Sequence, residues 1–210
     1  MRGMFLVIDG IDGSGKSTQA RLLADRLGAY LTFEPGHSDL GEGLRRLILD
    51  TDSSRSSISR VAEALVMFAD RAQHVFEVIG PKLEAGSWVV SDRFSPSTFA
   101  YQGFGRGLEL GQLDMINTWA CQGIVADLNI LIDIPVQLAL SRRQLRRSND
   151  PDSVSDRFEL EQVGFQEKVR EGFLYQAKNS PQDWIVIDGQ RSQHDIQEEI
   201  FSRVSARFNL

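Results

Sequence analysis

The chain has 210 residues, of which 41% are hydrophobic and 25% charged, the proportions of one soluble globular domain with a sizeable core. Its net charge of −6 and pI of about 5.1 speak against a general nucleic-acid binder. No apolar run approaches the ~20 residues of a membrane span, Asp9 comes too early for a signal peptide, and the lone Cys121 reads as a small buried side chain in a reducing cytoplasm.

Phe5 to Ile8 is an apolar run of strand length. Gly10-Ile11-Asp12-Gly13-Ser14-Gly15-Lys16-Ser17 follows at once and fits G-x-x-x-x-G-K-(S/T). Gln19 to Leu27 then has helical spacing. Strand, glycine loop and helix are in the order a phosphate-binding loop requires. Its amides and the helix N-terminus would surround phosphate oxygens, Lys16 would reach the β/γ-phosphates, and the Ser17 hydroxyl would hold Mg²⁺.

Tyr30 to Phe33 is the second predicted strand, broken by Glu34-Pro35-Gly36-His37. Leu40 to Leu49 reads as a helix, 50–57 as a surface loop, and Ser59 to Glu84 as one long helix closed by Gly86. Trp88 to Ser91 is a third strand, ending in Asp92-Arg93; a carboxylate at a buried strand end can reach Mg²⁺ or its waters. A helix is predicted from 95 to 103, interrupted over Gly103 to Gly107, and another over Leu110 to Cys121. A strand over Leu128 to Ile134 precedes a helix over Val136 to Leu145, with Arg142, Arg143, Arg146 and Arg147 at its end. The polar stretch 148–155 reads as mobile. A helix over Arg157 to Ala177, a strand over Trp184 to Ile187 and a closing helix over Asp195 to Phe208 complete the pattern. Alternating strands and helices imply a five-stranded parallel sheet flanked by helices, an α/β fold of the P-loop NTPase kind. The glycine loop, Glu34-Pro35-Gly36 and Asp92-Arg93 all fall at carboxyl strand ends, where such sheets bind ligands.

No Asn-Lys-x-Asp tetrapeptide occurs, so a GTPase is disfavoured, and the spread of arginines suits a kinase with a second phosphorylated ligand. Asp92-Arg93-Phe94-x-x-Ser97-x-x-Ala100-Tyr101-Gln102-Gly103 resembles the D-R-(Y/H)-x-x-S-x-x-A-Y-Q-G signature of thymidylate kinases. The glycine loop, Thr32-Phe33-Glu34-Pro35-Gly36, the run Ala69 to Val75 and Asp156-Arg157-Phe158-Glu159 resemble further blocks of that family, in the same order.

The resemblance implies one nucleoside monophosphate kinase domain over 1–210, with a mobile lid at about 142–156. It implies phosphoryl transfer from ATP to dTMP with Mg²⁺, in a cytoplasmic homodimer without nucleic-acid or membrane partners. ATP would lie on Gly10, Ile11, Asp12, Gly13, Ser14, Gly15, Lys16, Ser17, Thr18 and Arg142. Asp12 would lie near the deoxyribose 3′-hydroxyl, with Tyr101 crowding any 2′-hydroxyl. Arg45 and Arg93 would hold the dTMP phosphate, with Ser97 in the same subsite. Arg71 and Thr98 would face the thymine edge, with Gln102 nearby and Met67 and Phe68 where an aromatic usually covers the base. Met67 reads equally as core packing. Ser17 and Asp92 would serve the metal. The loop carries no arginine, so transition-state charge falls to the lid, with Arg146 and Arg147 as candidates; a basic, solvated helix end is the plainer reading of each. The catalytic set is then Asp12, Lys16, Asp92, Arg93, Arg146 and Arg147. Phe33, His37, Ser38, Met67 and Phe94 depart from the family pattern; they surround the acceptor site and bear on base selectivity more than on the reaction itself.

Overall fold

The computed structural model describes residues 2–49, 58–149 and 157–210. Five parallel strands form one sheet in the order β2-β3-β1-β4-β5, with β1 Phe5–Asp9, β2 Tyr30–Phe33, β3 Val89–Asp92, β4 Leu128–Asp133 and β5 Trp184–Asp188. This is the expected α/β sheet. The central β1 is buried along its whole length, whereas the edge strands β2 and β5 are partly exposed, as a sheet covered on both faces requires. The two-residue alternation of β1 divides the core. Leu6 and Ile8 pack with Leu23 of α1 (Lys16–Leu27) and with Ile196 and Ile200 of α9 (Gln193–Phe208). Phe5 and Val7 pack on the other face with Ile79, Leu83, Val89 and Phe94.

The remaining helices are α2 Asp39–Leu49, α3 Arg60–His74, α4 Gly80–Glu84, α5 Ser95–Thr98, α6 Leu110–Cys121, α7 Val136–Asn149 and α8 Val163–Asn179. The predicted long helix is continuous but not uniform. Ser59 caps it by accepting from the Ala62 amide at 3.2 Å, and a π-helical turn, Val75–Ile79, joins α3 to α4. Pro81 explains the turn. It lacks the N–H that would bond the Glu77 carbonyl, and its ring would press on that carbonyl in a regular α-helix.

Two predicted boundaries are corrected. The helix from Ser95 does not break at Gly103 but runs on as a π-helical segment, Phe99–Gly105. A side chain at Gly103 would meet Leu110, and one at Gly105 would meet Phe165, so these glycines permit close packing rather than end the helix. The helix expected from Arg157 starts only at Val163. Residues 157–161 are held by other bonds: the Arg157 amide donates to the Leu49 carbonyl, and the Phe158 carbonyl accepts from Gln166. The loop expected over 50–57 and the second part of the expected lid, 150–156, lie outside the described residues. Its first part, 142–149, is the end of α7.

Candidate active site

The carboxyl ends of β1, β2 and β3 open into a cleft of about 570 Å³, a size suited to small-molecule ligands. Its floor is the glycine loop. Gly15 caps α1 at φ 94° with no side-chain cap bond, so the first amides of the helix remain available to an anion. Gly13 lets α7 come close: a Cβ there would lie 2.6 Å from the Ala139 carbonyl oxygen. Gly13, Gly15, Lys16, Ser17 and Thr18 line the cleft.

Asp12 is the hub. It accepts from Lys16 Nζ at 3.0 Å, from the Tyr101 hydroxyl at 2.9 Å and from the Arg93 guanidinium. Burial pushes its carboxyl up, but Lys16 and Arg93 beside it outweigh burial and hold it well below the usual range. Arg93 follows β3 with a left-handed backbone, φ 73°, a conformation that costs a non-glycine residue about 1 kcal/mol or more. Its amide bonds the Ile8 carbonyl at 3.0 Å and its carbonyl accepts from Ser91 at 2.6 Å. Thus anchored, the guanidinium reaches Ser97 Oγ at 2.9 Å and the Tyr101 hydroxyl at 3.2 Å. Ser97 donates onward to Asp9 at 2.5 Å. Asp9 is fully buried, and its carboxyl is pushed up to about 6, chiefly by burial, against the lowering effect of Arg93 and Ser97. Asp9 Oδ2 and Asp92 Oδ1 are buried and have no hydrogen-bond partner among the described residues.

The far wall is a buried chain of polar groups. Arg71 gives two bonds to Glu34 Oε2, at 3.0 and 2.8 Å, one to Thr98 Oγ1 at 2.9 Å and one to Asn117 at 2.9 Å. The other Glu34 oxygen meets His74 Nδ1 at 3.0 Å, and His74 Nε2 lies 2.5 Å from Thr32 Oγ1. Burial opposes ionisation of Glu34, but Arg71 and His74 hold its carboxyl below the usual range. Asp70 accepts from the Gly36 amide at 2.9 Å and is raised to about 6 by burial and by the Glu34 charge. At the rim, Arg45 donates to the Pro35 carbonyl at 2.6 Å, with its guanidinium 5.8 Å from the centre of the Phe33 ring. His37 packs edge-on against Phe33 at 5.0 Å, and its ring is depressed by burial and by His74.

Opposite this wall, α7 brings its arginines over the loop. Arg142 donates to the Gly189 carbonyl at 2.9 Å and the Ser14 carbonyl at 3.5 Å. Arg143 is buried and bonds the Glu159 carbonyl at 3.2 Å, and Arg146 bonds the Glu159 carboxylate at 2.6 Å. A phosphate loop faced by a basic helix, with an arginine-rich second pocket alongside, is the layout of an enzyme that binds two phosphorylated ligands.

The thymidylate kinase family model matches residues 8–200. The chain belongs to the thymidylate kinase family. It is 43% identical over 207 residues to the thymidylate kinase of Cupriavidus necator, covering 95% of this chain and 97% of that protein. It is 42% identical over 214 residues to that of Prochlorococcus marinus, covering 97% and 93%. The solved thymidylate kinase of Ehrlichia chaffeensis superposes with a TM-score of 0.76 at 28% identity, over 97% of this chain and 99% of that one. The fold is therefore the P-loop kinase fold expected from the resemblance.

Within this thymidylate kinase fold, the tertiary structure brings Asp12, Lys16, Arg45, Met67, Arg71, Asp92, Arg93, Ser97, Thr98, Tyr101, Gln102, Arg142 and Arg146 to one cleft. Five expected residues are not on its wall: Phe68, Arg147, Gly10, Ile11 and Ser14. Phe68 is buried with Ala64, Leu113 and Ala120 behind the pocket, because Met67, one residue earlier, takes the cleft-facing position on α3. Arg147 is exposed and is not among the residues that line the cleft, whereas Arg142, Arg143 and Arg146 of the same helix are. Gly10, Ile11 and Ser14 lie behind the lining, with Ile11 in the core, so any contact they make with ATP is through the backbone. Sequence reasoning placed Glu34 near the site without giving it a role, and gave none to Arg143, Asp70 and Asp9. For Asp9 the signal was present: it is a strand-end carboxylate, like Asp92.

Proposed function

We propose that the chain transfers the γ-phosphoryl group of ATP to dTMP, giving ADP and dTDP for dTTP synthesis, within one domain of residues 1–210 that has a lid at about 142–156. The observation that carries this is the Asp12–Arg93 hub, which sits between the glycine loop and the Glu34–Arg71 pocket. A phosphate oxygen of dTMP attacks Pγ, the bond from Pγ to the β-phosphate bridging oxygen breaks, and ADP leaves. No side chain need take a proton, since the catalytic contribution is positioning and charge neutralisation.

Lys16 exchanges its bond with Asp12 for the β/γ-phosphates. Arg93, with Arg45 at the rim, holds the acceptor phosphate. Asp12, released from Lys16, accepts from the sugar 3′-hydroxyl, and Tyr101 packs where a 2′-hydroxyl would lie. Arg142 covers the adenine side and Arg146 meets the transferring group. The donor set suits Mg²⁺, which takes few protein ligands and fills its shell with water and phosphate: Ser17 lines the cleft and Asp92 presents an unpartnered oxygen. These residues would hold the ion, which would supply charge neutralisation to the phosphates during transfer. Met67 covers the base face, and its flexibility, with Phe33 and His37 at the rim, allows a second reading as a broader deoxynucleotide kinase.

An ADP-release assay over dTMP, dUMP, dCMP and dAMP tests both readings. Turnover of dTMP far above the others is expected; equal or better turnover of another monophosphate refutes strict dTMP use. A homodimer is supported by the exposed Met115 and Trp119, one turn apart on α6, with Trp119 84% exposed. Sedimentation at twice the chain mass checks it. Cytoplasmic residence fits the free, buried Cys121 thiol; among the described residues no helix is long and apolar enough to cross a membrane.

A further inference from the structure

Glu63, on the first turn of α3, is 1% exposed and has no part in the chemistry above. Its carboxylate accepts from Arg106 Nε at 3.0 and 3.1 Å, from the Arg157 guanidinium, and from Gln102 Nε2 at 2.9 Å. Arg106 also bonds Glu161. A carboxylate set between two guanidinium groups accepts and does not donate. Gln102 must therefore turn its NH₂ toward Glu63. Gln102 lines the cleft beside Thr98 and Arg71, and among the described residues no hydrogen bond engages its Oε1. Its carbonyl oxygen is the group left for a ligand. Next to it, Thr98 Oγ1 already accepts from Arg71, which leaves the threonine proton to donate.

We propose that Glu63 is a positioning residue for base selection. By holding the Gln102 amide in one orientation, it makes the wall present a donor beside an acceptor. This rests on the dTMP reading. A 4-oxo pyrimidine such as thymine offers O4 as acceptor and N3–H as donor, and it matches the wall. A 4-amino pyrimidine such as cytosine offers the reverse: the threonine hydroxyl can still accept from the amino group, but the N3 acceptor would face the Gln102 carbonyl oxygen, a mismatch that polar sites reject strongly. With the amide turned over, the preference weakens.

The test is kcat/KM for dTMP and dCMP, measured on the full chain. In Glu63→Gln and Glu63→Asp the dTMP:dCMP ratio should fall about tenfold or more. The change should appear in KM, while kcat at saturating dTMP moves less than about threefold. Arg106→Lys loosens the ion-pair cluster but spares the Glu63–Gln102 bond; it should lower Tm and leave the ratio in place. Glu63→Asp keeps the buried charge between Arg106 and Arg157 and carries the test if Glu63→Gln does not fold. Gln102→Met deletes the amide outside the cluster and must lower the ratio too, so a retained ratio there overturns the proposal even without a folded Glu63 variant. An unchanged ratio in a folded Glu63 variant overturns it, as does an Arg106→Lys variant that loses the ratio equally. A failure of the dTMP reading shows separately, as preference of the unaltered enzyme for another monophosphate.

Discussion

The two halves of the cleft are built in opposite ways. The phosphate loop is local: nine consecutive residues, Gly10 to Thr18, supply backbone amides, one lysine and one hydroxyl. Little in it depends on distant partners beyond Asp12. The acceptor wall is assembled from far apart. Glu34 comes from the turn after β2, Arg71 and His74 from α3, Thr98 and Gln102 from the helix after β3, and Asn117 from α6. A local site can be damaged in function and keep its fold. A site made from four segments, closed by buried ion pairs, couples binding to stability.

Substitutions can break that contrast or sharpen it. Lys16→Ala should lower kcat by about 10³-fold or more, by analogy with other charge-stabilising groups in phosphoryl transfer, with Tm little changed. An unchanged turnover would show that the loop is not catalytic. Arg71→Met should do the reverse in kind. It strands the Glu34 carboxylate, which is 6% exposed, and should cost roughly 3–5 kcal/mol in urea unfolding; a cost below about 1 kcal/mol would show the wall to be loosely held. Arg146→Ala should reduce kcat by about 10²-fold, whereas Arg147→Ala should change it less than about twofold. Equal losses would place both on the transferring group.

A further effect is a pH slope from Asp9. Its folded carboxyl sits at about 6 against an ordinary 3.8, so the folded state binds this proton more tightly than the unfolded chain. The associated stability is present below about pH 4 and is lost as pH rises to about 6, by roughly 3 kcal/mol at most. Asp9→Asn should remove that slope. Chemical unfolding of both proteins at pH 4.5 and 7 measures the difference, and parallel pH profiles would show that Asp9 does not titrate in this window.

Much of this arrangement was readable from the chain. All five strands, the loop and most helices follow from apolar periodicity and glycine placement, because those are signals carried by neighbours in sequence. Where the reading failed, a tertiary contact outweighed a local signal. Gly103 and Gly105 look like breakers, yet they let Leu110 and Phe165 approach. Arg157 has helical neighbours, but its backbone and side chain are drawn to Leu49 and Glu63. Phe68 was the obvious aromatic, but the phase of α3 buries it and turns Met67 to the cleft.

By itself the sequence determined that this chain has a parallel α/β sheet, a phosphate loop between β1 and α1, and the blocks of a thymidylate kinase. A strand followed by a glycine turn and a helix is specified within about fifteen residues, so no distant partner is needed to see it. Only the tertiary structure decided which charges meet. It paired Asp12 with Arg93, used up most of the Arg71 donors inside the protein, put Arg146 on the cleft wall and left Arg147 off it, and closed Glu63 over the amide of Gln102. Those pairings depend on helix phase and on segments dozens of residues apart, and the protonation and orientation of each group follow from its neighbours in space.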